Sequence, residues 1–103
     1  MRELRFIVTG QVIIADPVCD FSGLVPGTKG YLKAVFVFSS EWNGCRKAAV
    51  FKSLLNEYPV PICGNTCEIP EEAIKRNSFF VSVVGENDNY RITTNRVEVM
   101  QNG

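Results

Sequence analysis

Four cysteines, one tryptophan and two short acidic clusters are the side chains of this 103-residue sequence with chemistry to offer. Histidine is absent altogether, which removes nucleophilic triads built on a histidine base and zinc sites that use imidazole. A zinc site of four thiolates normally presents two close cysteine pairs, whereas Cys19 and Cys45 each stand alone. Cys63 and Cys67 flank Gly64-Asn65-Thr66, a turn-like segment. Two readings stay open there: a disulfide that closes a hairpin, or two reduced thiols packed as small hydrophobes. With no export signal legible in the sequence, the reduced state is the expectation.

The acids are equally plain. Glu71 and Glu72 are neighbours on a predicted helical turn, so they diverge by about 100° and do not converge on one proton. Glu86-Asn87-Asp88-Asn89 places calcium-like oxygen ligands in a turn, but lacks the further acids and the bidentate glutamate of a calcium loop. Trp42, on a loop between strands, offers a flat face to a sugar or a plug for the end of a sheet pair, and the plug is expected. Thr93-Thr94-Asn95 carries hydroxyls that could meet a sugar or a partner, and is equally ordinary at a strand end. No catalytic residue, cofactor or metal site is expected.

Charge and hydropathy narrow the partners. Eleven Lys and Arg balance 11 Asp and Glu, so the basic footprint of nucleic-acid binding is missing. The first 52 residues carry 7 basic and 4 acidic groups and the remaining 51 carry 4 and 7, a mild polarity that suits subunits meeting head to tail or a mixed solvated surface. The longest apolar run, Ala34 to Phe38, is far short of the roughly 20 residues that cross a bilayer. Thr9, Gly10 and Gln11 interrupt the first apolar stretch before a signal-peptide core forms. Neither a membrane nor a nucleic-acid partner is expected.

The elements that must position these residues read as strands. Val and Ile number 20 against 10 for Leu and Ala, a balance that favours pleated backbone. Leu4, Phe6 and Val8 share one face before Gly10 breaks the run and Val12 to Ile14 resume it. Asp16 to Gly30 spells a long connection. Tyr31 to Phe38 is apolar at nearly every position and reads as a strand buried on both sides. Arg46 to Lys52 returns as its hairpin-like partner. Pro59 and Pro61 assign Tyr58 to Ile62 to a sheet edge. Pro70 to Ile74 is the one helical signal, with proline first and acids facing the dipole. Phe79 to Val84 and Tyr90 to Val99 close the chain as antiparallel strands. The expected fold is all-β: one domain over residues 1–103, an antiparallel sandwich of about seven or eight strands with one short helical turn.

Several stretches together resemble a known pattern. They are Gly27-Thr28-Lys29-Gly30-Tyr31-Leu32-Lys33-Ala34-Val35-Phe36, Phe38-Ser39-Ser40-Glu41-Trp42-Asn43-Gly44, Lys47 to Phe51, Cys67-Glu68-Ile69-Pro70-Glu71-Glu72, Phe80 to Gly85, and Ile92-Thr93-Thr94-Asn95. In this order they resemble the small domain at the start of baseplate upper proteins, and of related virion structural proteins, in long-tailed phages of Gram-positive bacteria. The resemblance spans about residues 4 to 100. It implies an immunoglobulin-like sandwich that packs on other virion subunits and catalyses nothing. It further implies that Phe36, Trp42, Phe51, Phe80 and Ile92 are core positions and that Pro70 starts the crossover between sheets.

The expected function is therefore a non-enzymatic virion structural protein, made in the host bacterial cytoplasm and built into the particle. Its partners would be baseplate, tail or capsid subunits, in a homo-oligomer or symmetric array. Baseplate upper proteins continue into a helical or fibre-like extension, whereas this sequence stops at Gly103, which brings capsid decoration in beside the baseplate and tail roles. The reading from another class is a host-glycan-binding module using Trp42 and the Glu86 to Asn89 turn.

Overall fold

Alternation of branched or aromatic residues with polar ones builds most of the chain into strands. The computed structural model describes residues 1–102, with Gly103 outside the described residues. Among the described residues nine strands form: β1 (Arg2–Thr9), β2 (Val12–Ala15), β3 (Leu32–Phe38), β4 (Arg46–Ser53), β5 (Asn56–Pro61), β6 (Thr66–Glu68), β7 (Ser78–Glu86), β8 (Arg91–Thr93) and β9 (Val97–Met100). The first sheet has the order β2-β1-β3-β6 and the second β5-β4-β7-β8, with β9 pairing β7 beside β8. This is an all-β sandwich, and β6 and β8, at 3 residues each, bring the strand number above the seven or eight expected.

All strand pairs are antiparallel except β1 with β3. That parallel pair needs no helical crossover, because β2 and the long Asp16 to Tyr31 connection have already returned the chain to the starting end. Proline and glycine keep that connection free of regular elements, as expected.

One cluster of buried side chains fills the space between the sheets. Leu4, Phe6, Val8, Ile13, Ala34 and Phe36 come from the first sheet, and Ala49, Phe51, Phe79, Val81, Val83 and Val99 from the second. Phe6 stacks on Phe36 with centroids 5.6 Å apart, a separation at which aromatic pairs gain beyond area burial. Trp42 closes one end, wholly buried at 0% exposure on the short 3-10 turn Ser40–Trp42. Its indole Nε1 donates to the Gly10 carbonyl at 2.9 Å, so the buried polar tip is satisfied. The tryptophan is therefore a plug, and its faces are closed to a sugar.

Phe80 is corrected by this packing. It was expected in the core, but β7 turns Phe79, Val81, Val83 and Gly85 inward and leaves Phe80 half-buried on the outer face. Gly85 decides the register: a Cβ there would lie 2.8 Å from the Trp42 ring, so only glycine fits beneath the plug. Ile92, opposite Gly85 on β8, is half-buried and packs against the core. Pro70 precedes the second 3-10 turn, Glu71–Ile74, where the chain passes from β6 in one sheet to β7 in the other. The expectation that β3 is buried on both sides is also corrected: Leu32, Ala34 and Phe36 are buried, whereas Val37 is exposed. Among the described residues no layer covers the outer face of that sheet.

Candidate docking surface

Sheets in solution associate by their edges or by their faces, and here the edges are largely closed. Ile62 donates its N–H to the Lys47 carbonyl at 2.9 Å, so even-numbered residues of β5 aim their amides at β4 and odd-numbered ones aim outward. Pro59 and Pro61 occupy two of those outward positions and have no N–H to offer. Of the other strands with a single neighbour, β6, β8 and β9 are only 3, 3 and 4 residues long. At the opposite side Asn95 clasps β2: the Ile13 N–H donates to Asn95 Oδ1 at 2.9 Å, and the Asn95 N–H donates to the Gln11 carbonyl at 3.0 Å. Gln11 Nε2 adds a bond to the Thr93 carbonyl. An incoming strand finds no long free ladder.

The faces differ. On the outside of the first sheet, register places Ile14 of β2, Ile7 of β1 and Val37 of β3 in one row. Val12 lies one position beyond, opposite Thr9, and Val35 one row nearer the charged end, opposite Arg5. Exposures of 52% for Val12, 44% for Ile14 and 57% for Val37 make this a contiguous bare apolar patch. Charge is confined to the other end of the same face, at Glu3, Arg5, Lys33 and Glu68, and Arg5 bonds Glu3 at 2.7 Å. Asp16, which continues β2 opposite Arg5 with its N–H on the Arg5 carbonyl at 2.9 Å, stands at the same end, so the charges there are of both signs and nearly balance. A nearly neutral apolar surface binds protein through burial and shape, and burying the exposed half of each branched side chain yields on the order of 1 kcal/mol.

The outer face of the second sheet is apolar but dressed. Ala48, Val50, Phe80 and Val84 lie on it, all half-buried. Arg96 lays its guanidinium over the Phe80 ring at 5.1 Å, and Lys52 pairs with Phe80 in register. Long cationic side chains that cover apolar surface while keeping their charge wet make such a face compatible with water.

The remaining predicted residues lie apart from one another. All four cysteines are free thiols. Cys63 bridges Thr66 and shares its outward side, while Cys67 is the next residue and points into the core, so the pleat separates the two side chains. Burial, with a smaller contribution from Cys63, pushes the Cys67 thiol up to about 12. It is a packed hydrophobe without nucleophilic character at neutral pH. Glu86 faces Arg46 at 3.4 Å and Arg91 at 3.9 Å. Asn87 Oδ1 accepts the N–H groups of Asn89 and Tyr90, which folds the Glu86 to Asn89 turn on itself. Among the described residues no group of three or more Cys, Asp or Glu side chains is arranged to hold a metal ion.

Two polar devices carry no signal in the sequence. Asn95, of a type ordinary at a strand end, is the clasp between the sheets described above. Gln101 is buried, and its Nε2 donates to the carbonyls of Ile74 and Arg76 at 3.2 and 2.7 Å, fixing the second 3-10 turn to the end of β9. An amide just outside a strand carries no periodic signal, so neither is readable from the sequence. Two exposed carboxyls are held below the usual range by local bonds: Asp20 by the Ser22 hydroxyl and N–H, and Glu41 by the Ser39 hydroxyl. Both tie down loops next to β1 and Trp42.

No helix among the described residues is long and apolar enough to cross a membrane. No family model, curated protein or solved structure matches this chain.

Proposed function

We propose that this chain is a non-enzymatic structural subunit of a phage virion that packs on neighbouring protein subunits through the outer face of its first sheet. The observation that carries the packing role is the bare row Ile14, Ile7 and Val37, flanked by Val12, on a face no other part of the fold covers. Closed edges support the same reading, since they direct association to faces. The virion placement rests on the ordered motifs from Gly27 to Asn95 and their resemblance to baseplate and related virion domains. Each copy's patch contributes only a few kcal/mol, which is sufficient where a symmetric particle multiplies the contact.

The test is particle composition. Wild-type chain is expected in purified particles by mass spectrometry. Val37→Asp is expected to fold with an unchanged circular dichroism spectrum, because the site is half in water already, and to be missing from particles. Particles that lack the wild-type chain, or that take up Val37→Asp at wild-type levels, would overturn the reading.

A further inference from the structure

The hairpin between β4 and β5 turns through two leucines, Leu54 and Leu55, that are 64% and 93% exposed. Two-residue hairpin turns favour glycine, asparagine or aspartate because a central residue takes positive φ. Here Leu54 takes it, at φ 55°, a conformation that is strained for a bulky side chain. The turn thus keeps a large apolar residue where the backbone disfavours it and where water surrounds it. Neither local stability nor the core accounts for that choice.

Cations surround the tip. A groove on one side of Leu54 is lined by Lys75, Arg76, Glu72 and Tyr58, and a groove on the other by Lys52, Arg76 and Phe80. Among the described residues, Lys52, Lys75 and Arg76 take no part in a salt bridge. Glu57, opposite Lys52 across the β4–β5 ladder, and Glu72 offset part of this charge and leave three cations against two acids.

We propose that the Leu54–Leu55 tip is a preformed docking knob for an apolar cleft, rimmed by carboxylates, on a different protein subunit. A turn held in one strained shape fits a shaped pocket with little ordering cost, and its unpaired cations complement an acidic rim. A second copy of this chain is a poor receptor, because the shallow pocket outside β4 and β7 is rimmed by Arg46, Lys47 and Arg91, and its one acid, Glu86, already faces both arginines. The knob lies at the end of the sandwich, away from the Ile14–Ile7–Val37 row, and rests on the assembly reading only in that its partner is a protein.

The experiment places a photoreactive phenylalanine analogue at position 55 of the full chain, in the cells that produce it, and reads the adduct by mass spectrometry. The expected adduct is with one other protein, at a segment of apolar residues flanked by Asp or Glu. Reversing charge with Lys75→Glu and Arg76→Glu is expected to cut its yield tenfold or more. Leu54→Gly separates docking from folding: it relieves the turn and is expected to raise the melting temperature while lowering the yield. Adducts dominated by lipid or by this chain itself, no adduct, or a yield indifferent to charge reversal would overturn the proposal. If the knob fails while Val37→Asp still abolishes incorporation, the face reading stands without it.

Discussion

The two outer faces of this sandwich solve the same problem in opposite ways. Both carry branched or aromatic residues where a solvated sheet would carry polar ones. On the second sheet Arg96 lies over Phe80 and Lys52 flanks it, so the apolar surface is shielded from within the chain. On the first sheet Ile14 and Val37 stand bare beside Ile7, and the only charges sit at the far end of the face. A sheet that ends in water supplies its own cover. Under the function proposed above, the sheet left uncovered is covered by a neighbouring subunit.

This contrast can be broken at graded cost. The largest effect comes from the interior that both faces share: Trp42→Ala or Phe51→Ala should cost about 3–5 kcal/mol, enough to unfold a domain of this size, and a denaturant titration would show it. Next is the clasp that holds the bare sheet to the dressed one. Asn95→Ala leaves the Ile13 N–H without its acceptor and should cost about 1–3 kcal/mol, with faster amide exchange in β2 than in β4. Removing the dressing itself is milder. Arg96→Ala should cost about 0.5–1 kcal/mol and make the second face associate non-specifically at high concentration, which light scattering would detect.

Titration should have the smallest effect. With no histidine, no side chain with an ordinary pKa titrates between about pH 6 and 8, so the melting temperature should be flat there. Asp20 and Glu41 have folded-state values below their ordinary ones. Their contribution is present above the unfolded carboxylate range and is lost as pH falls through the lower folded values. A melting temperature that declines below about pH 4, less steeply in Asp20→Asn, would show this.

Much of the fold was legible in the sequence because it depends on local rules. Proline spacing placed β5 at an edge, Pro70 placed the helical turn, and alternation located β1, β3, β4 and β7. Faces were harder. In β7 both faces of the alternation are apolar, Phe79, Val81 and Val83 against Phe80 and Val84, so period alone does not say which points inward. Gly85 beneath Trp42 decides it, and that contact is 43 positions apart in the chain. The same ambiguity in β3 makes a bare face look like a second buried one, and hides the candidate docking surface. The Leu54–Leu55 turn was invisible for another reason: it contains none of the residues that announce a turn.

The most direct test of the central claim is the accessibility of the first sheet's outer face before and after assembly. Val37→Cys should react with a maleimide in the free chain about as readily as the exposed Cys63, and should be protected at least tenfold in purified particles. Equal labelling of position 37 in the free chain and in the particle would contradict the account.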